Sequence, residues 1–268
     1  MTSRDNSLNH WLLASKRAAA VAAAFISAGA ARRRDLVWDE KSPVDFVSEI
    51  DVGAEHRIQD ILTTEIPDIR MVGEELGPDG DTQTGLVAIV DPLDGTTNFL
   101  HGFPAYGVSI CIALDGVPQV GVVHDVARGG VFWAVRGGGA WHNDTPLAVS
   151  TISDPTRALI GTGFPFKDMS RTDEYVRQFQ ALMPLVSGMR RAGSAALDLC
   201  DVAGGRFEAF WELTLSPWDI AAGLLIVREA GGMVTDLAGR EAPIATGTIV
   251  ASNGVMHGWL LGVLNGEL

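Results

Sequence analysis

Asp91-Pro92-Leu93-Asp94-Gly95-Thr96-Thr97-Asn98-Phe99 follows directly on the apolar run Leu86-Val87-Ala88-Ile89-Val90. The run is short and rich in branched residues, which reads as a buried strand. Proline cannot continue a central ladder, so the strand is expected to end at Asp91-Pro92. Two carboxylates then stand three residues apart at the strand end, with Pro92 stiffening the backbone between them. Gly95 lets the chain turn, and Thr96 and Thr97 bring hydroxyls and backbone N–H groups. A helical turn starting there leaves its first N–H groups free for an anion. One loop therefore offers Asp91 and Asp94 to cations, and Gly95, Thr96 and Thr97 to a phosphate. Hard oxygen ligands suit Mg2+, which also accepts phosphate oxygens. Alone, Asp-Pro-Leu-Asp reads as an ordinary capped turn. The full nine-residue string is what points to a site.

Two further acidic stretches follow the same logic. Gly73-Glu74-Glu75 comes after the apolar stretch Ile69 to Val72, so a carboxylate at a strand end could point into a shared site. Trp218-Asp219 opens a helical run. Each in isolation is unremarkable: a solvated loop pair and a first-turn aspartate.

Outward from these, the first third of the chain reads as a helix over about 8–31, a break at Pro43 and Asp45, and a second helix over about 51–65 with Ile58, Ile61 and Leu62 on one face. The middle is an antiparallel meander over 106–114, 118–126 and 130–135, with Asp115-Gly116 and Arg128-Gly129-Gly130 as hairpin turns. The last third alternates helices at about 172–183, 194–203, 218–230 and 254–264 with strands at 158–162, 206–211 and 247–251. Sheets interleaved with helices imply a layered α+β architecture. Residues 1–268 read as one catalytic domain, with lobes of about 1–150 and 151–268.

Composition narrows the function classes. Acidic residues number 33 against 20 basic ones, a net charge of −13, which argues against a nucleic-acid partner held by a basic footprint. The two cysteines, Cys111 and Cys200, form no CxxC pair, as expected of a cytoplasmic protein without disulfides or structural zinc. The apolar run Ala18–Ala31, flanked by Lys16-Arg17 and Arg32-Arg33-Arg34, mimics a signal-peptide core but is too short to span a bilayer. It is expected to be a folded helix, with no membrane partner. Gly137-Gly138-Gly139 lacks a full nucleotide-loop pattern and reads as a turn between strands.

Together, Gly73-Glu74-Glu75, the Asp91–Phe99 string, and Trp218-Asp219-Ile220-Ala221-Ala222-Gly223 with Glu229-Ala230-Gly231-Gly232 resemble the inositol monophosphatase family. Lys41-Ser42-Pro43-Val44-Asp45 through Asp51, and Arg191-Ala192-Gly193-Ser194-Ala195-Ala196-Leu197, match it too, so the resemblance runs from about 8 to 264. Leu215-Ser216-Pro217-Trp218-Asp219 is closer to bacterial members. The resemblance implies an αβαβα sandwich and a Mg2+-dependent, lithium-sensitive phosphomonoesterase acting on myo-inositol monophosphate, usually as a homodimer. It implies two or three ions: one held by Glu74, Asp91 and the carbonyl of Leu93, one by Asp91, Asp94 and Asp219, and a weaker one near Glu74. Glu74, Asp51 and Thr96 would be catalytic, with Thr96 polarised by Asp51 to orient the attacking water. Gly95, Thr96 and Thr97 would hold the phosphate. Gly193, Ser194, Ala195 and Glu212, with Asp94 and Asp219, would line the pocket for a phosphorylated polyol or sugar.

The metal residues do not separate this reading from phosphatases acting on histidinol phosphate, fructose 1,6-bisphosphate, nucleotide phosphates or several sugar phosphates. That distinction rests on Ser194, Glu212 and the loop from Phe164 to Asp168. A reading of another class is a regulatory binding partner that keeps a secondary active site.

Overall fold

In the computed structural model, which describes residues 3–42, 45–78, 80–166, 168–245 and 247–268, five layers alternate helices and sheets. The N-terminal helix α1 (Ser3–Ala30) leads through a short hairpin, β1 (Asp39–Ser42) and β2 (Asp45–Val47), into α2 (Glu49–Glu65). The break expected at Pro43 lies outside the described residues. A seven-stranded sheet follows, in the order β3 (Arg70–Gly73), β4 (Leu86–Asp94), β5 (Gly107–Leu114), β6 (Val117–Asp125), β7 (Gly130–Val135), β8 (Ala140–His142) and β9 (Thr145–Pro146). Only the β3–β4 pair in it is parallel. Between β4 and β5 lies the short helix α3 (Thr96–His101).

The second half supplies β10 (Leu159–Thr162), α4 (Thr172–Leu182), β11 (Gly188–Arg190), α5 (Ala195–Ala203), β12 (Ala209–Leu215), α6 (Pro217–Glu229), β13 (Met233–Thr235), β14 (Gly247–Ser252) and α7 (His257–Asn265). Its five strands run in the order β11-β10-β12-β14-β13. Helices α1 and α2 cover one face of the large sheet, α5 and α6 lie between the sheets, and α4 and α7 cover the far face of the small sheet.

Side-chain alternation explains the layering. On β4, Ala88 and Val90 face the core under α1 and α2, while Val87 and Ile89 face the core beneath α5 and α6. On β12, Phe210 faces α5 and α6, and Ala209, Trp211 and Leu213 face α4 and α7. Strands buried on both faces carry apolar residues at nearly every position, which is why they read as continuous runs. On α2, Ile58 and Leu62 are fully buried, as their spacing requires, and Ile61 packs partly buried beside them.

Two expectations need correction. Strand β4 does not stop at Asp91-Pro92 but runs to Asp94. Asp91 pairs with Ser109 and Asp94 with Gly107, so an extra residue bulges out beside β5, and β3 on the other side has already ended at Gly73. Proline is tolerated at a bulge because no ladder hydrogen bond is asked of it. Second, the apolar stretch of α1 is longer than the Ala-rich run suggested: Asn6–Ala30 is long and apolar enough to cross a membrane by length and composition. Half of it is buried within this fold, through Leu8, Leu12, Ala18, Ala19, Ala22 and Ile26.

Candidate active site

The bulge at Pro92 brings Asp91 and Asp94 to the end of β4, where the chain turns at Gly95 (φ 95°) into α3. A side chain at Gly95 would be strained by that φ, and its Cβ would lie 2.7 Å from the carbonyl oxygen of Ala105. The neighbouring strand β3 ends at Gly73, and Glu74 N–H donates to the carbonyl of Val90 at 3.2 Å, which ties Glu74 beside Asp91. From the other half of the chain, α6 delivers Asp219. Ser216 caps that helix, Pro217 occupies its first turn, and the backbone N–H of Ser216 donates to Asp219 Oδ2 at 2.6 Å.

These groups meet in one cavity of about 380 Å3. Its walls include Glu74, Asp91, Leu93, Asp94, Gly95, Thr96, Thr97, Gly193, Ser194, Ala195, Glu212 and Asp219. Every residue expected at the site therefore lines this cavity except Asp51, which sits one layer behind. Asp51 is buried at the start of α2 and accepts three hydrogen bonds: from Ser48 N–H at 2.8 Å, Ser48 Oγ at 2.7 Å and Thr96 Oγ1 at 2.7 Å. Burial pushes its pKa up, against the pull of the Ser48 and Thr96 hydrogen bonds.

The acids are oriented by backbone and hydroxyl donors. Leu93 N–H donates to Asp91 Oδ1 at 3.0 Å. Asp94 Oδ2 accepts from Ser194 Oγ at 2.6 Å and from Ala196 N–H at 2.7 Å. Ser194 is thus the cap of α5 and a clamp on Asp94 as well as a wall of the pocket. Six carboxylates line the cavity (the four at its head, Asp198 and Glu212) against one described cation, Arg191. So many like charges converging in a partly desolvated site call for cations. Among the described residues, no three His, Cys, Asp or Glu side chains close up into a ready-made metal cage. The donors that line the cavity are hard carboxylate and carbonyl oxygens, the kind Mg2+ takes, with waters and substrate oxygens completing its shell. The chemistry of the donor set therefore fits that ion.

The sequence singled out Phe164 to Asp168 as the discriminating loop. Phe164, Pro165 and Phe166 line the cavity mouth, the two rings edge to face at 5.5 Å, with the Arg191 guanidinium over them at 5.4 and 5.3 Å. Asp168 is not among the lining residues; its side chain caps the turn at Ser170 instead. Three contributors went unassigned in the sequence. Asn98 Nδ2 donates to the carbonyls of Ala105 at 2.6 Å and Ala192 at 2.8 Å, which pins α3 to the Gly193 turn. Asp198 is buried on α5 with Oδ1 lacking a hydrogen-bond partner, and burial, reinforced by Asp201, Asp94 and Glu212, holds its pKa well above the usual range. Glu55 is buried on α2 and accepts from Glu75 N–H at 2.8 Å and Leu76 N–H at 3.0 Å. Asn98 stood inside the quoted motif. Glu55 could have been found as an acid four residues after Asp51, on the helix face that buries Ile58 and Leu62.

Comparison with known proteins agrees with this geometry. A protein of Neisseria meningitidis serogroup B named putative Nus factor SuhB is 43% identical over 230 residues, covering 86% of this chain and 88% of its own. The inositol-1-monophosphatase of Rhizobium meliloti is 43% identical over 213 residues, 80% of each chain. The inositol monophosphatase structure from Anabaena superposes with a TM-score of 0.87 at 36% identity, covering 97% of both chains. With the model of the inositol monophosphatase family matching residues 7–267, the chain belongs to that phosphatase family.

Proposed function

We propose that this protein hydrolyses a phosphate monoester of a small polyol or sugar, with myo-inositol monophosphate as its first candidate, using two or three Mg2+ ions. One observation carries the reading: Glu74, Asp91, Asp94 and Asp219 converge with Leu93 and Thr96 on a single cavity. Glu74, Asp91 and the Leu93 carbonyl would hold one ion, and Asp91, Asp94 and Asp219 a second, with a weaker third near Glu74. When bound, such cations lower the pKa of the attacking water and neutralise charge on the leaving oxygen. Thr96 Oγ1 lies 2.7 Å from Asp51 Oδ1 and 3.0 Å from the Leu93 carbonyl oxygen, and in this reading its proton goes to the nearer Asp51. The Thr96 oxygen is thereby left as an acceptor that can orient a water in the cavity. Gly95, Thr96 and Thr97 at the head of α3 would hold the phosphate, as backbone N–H groups at a helix start do. Gly193, Ser194, Ala195 and Glu212 would receive the leaving group, under the aromatic rim of Phe164 and Phe166.

The test is phosphate release from inositol 1-phosphate, histidinol phosphate, fructose 1,6-bisphosphate, glycerol 2-phosphate and AMP, with Mg2+, with EDTA and with Li+. The expected outcome is Mg2+-dependent release led by inositol phosphate and blocked by lithium. A different leading substrate would change the substrate and keep the chemistry; no release from any would overturn the reading. Asp94→Asn should lower kcat/KM by about a hundredfold or more, the scale of losing an electrostatic contact to a reacting group, with an unchanged circular dichroism spectrum. A homodimer in the cytoplasm belongs to the same proposal, supported by the family and by two buried, unpaired cysteines. Sedimentation measures the former.

The Nus factor name carried by several relatives favours a second role, as a regulatory partner. With a net charge of −13, such a role would run through protein contacts rather than a basic nucleic-acid footprint. A cell carrying Asp94→Asn that kept the biological function while losing turnover would support it.

A further inference from the structure

Glu55 and Gly73 form a lock behind the acidic loop. Glu55 projects from α2 toward the end of β3, is completely buried, and accepts from the backbone N–H groups of both Glu75 and Leu76. A buried carboxylate is costly unless hydrogen-bonded, and the amides it takes belong to the two residues that follow Glu74. Gly73 lies directly before Glu74, and a Cβ there would run into Glu55 Oε1. Glycine at 73 is not needed for an unusual backbone angle; it is needed so that the Glu55 carboxylate can reach the loop. Both sides of Glu74 are therefore fixed by one side chain from a different layer: Gly73 by close approach, Glu75 and Leu76 by hydrogen bonds. The Glu74 backbone is held as well, through its N–H on Val90. Asp51, one helical turn earlier on α2, reaches Thr96. The buried face of α2 thus braces the site at two places.

We propose that Glu55 is a positioning residue that presets Glu74 for metal binding, without itself touching metal or substrate. The proposal rests on the Mg2+ reading above. Groups that orient a metal ligand from behind typically contribute ten- to hundredfold in metal affinity. Glu55→Gln keeps the shape but turns an N–H2 toward one of the two amides, so the loop loses an acceptor. Gly73→Ala drives the same carboxylate away from the opposite side.

The experiment is calorimetric titration of the intact protein with Mg2+ alone, without substrate, on wild type, Glu55→Gln and Gly73→Ala, alongside thermal unfolding of the metal-free proteins. The expected result is a dissociation constant raised by about tenfold or more in both variants, with kcat at saturating Mg2+ within about threefold of wild type. The double variant should be no worse than the worse single one, because both changes break the same contact. An unchanged Mg2+ affinity with only a lowered unfolding temperature would make Glu55 a purely structural group and overturn the proposal. If Glu55→Gln does not fold, Gly73→Ala decides on the same criterion. Wild-type protein that binds no Mg2+ would instead overturn the metal reading itself, and this proposal with it.

Discussion

Asn98 shows how much a single side chain can hold. Its amide nitrogen faces the carbonyl oxygens of Ala105, Ala192 and Gly193, joining α3 to the Gly193 turn. Asn98→Asp would point a carboxylate at three carbonyls, and should cost about 1–3 kcal/mol of stability in denaturant melts while raising KM. Asp198 gives a pH signature. Its folded pKa lies above its ordinary value of 3.8, so the folded chain binds that proton more tightly than the unfolded one. Stability is therefore lost as pH rises above the unfolded value, and the loss levels off beyond the folded one. Asp198→Asn should raise the unfolding temperature of the metal-free protein at neutral pH, with the gain shrinking toward pH 4. Equal melting curves at both pH values would contradict this. The sequence exposed the residues whose chemistry is local: Asp91, Asp94 and Thr96 sit in one string. Glu55 was marked only by its place on the buried face of α2, and Asp198 was not marked as a buried acid, since burial of a charge depends on which distant elements pack over it.

At the scale of elements, the large sheet was legible and its interruptions were not. Strands β5 and β6 match their apolar runs closely because both faces are buried, and β7 matches with one face buried and the other partly covered. Strand β12 was expected at 206–211 but spans Ala209–Leu215. Glu212 breaks its apolar pattern because that position faces the cavity, so the cavity-lining residue itself hid the strand. The β1–β2 hairpin is made of Asp39-Glu40-Lys41-Ser42 and Asp45-Phe46-Val47, with too little alternation to announce a ladder. Pro92 did mark a disturbance, yet a bulge absorbed it instead of ending the strand. The Gly95 turn that follows tolerates less. Gly95→Ala adds a positive-φ penalty to the approach of Ala105 and should destabilise by about 1–3 kcal/mol. Chemical denaturation measures that loss, and turnover should fall with it as the Thr96 and Thr97 N–H groups move.

For the whole molecule, ion binding and stability are linked. Ions that bind the folded chain alone stabilise it by about 2.7 kcal/mol at a hundred times their dissociation constant. For a chain of this size that is a rise of roughly 5–10 °C in unfolding temperature. Scanning calorimetry should show it with Mg2+ and lose it with EDTA; no shift would count against ions held by the folded state. The five layers were legible as an alternation of helix and strand, and their partnering became clear only through the side of each strand that faces each core. The acids of the cavity come from every part of this arrangement: Glu74, Asp91 and Asp94 from the large sheet, Glu212 from the small one, and Asp198 and Asp219 from the helices between. A nascent chain thus carries most of its acidic groups long before Asp219 is synthesised, and has no enclosed chamber in which to use them. Cut between its sheets, neither fragment would hold the full set of acids, and only their reunion would rebuild the chamber.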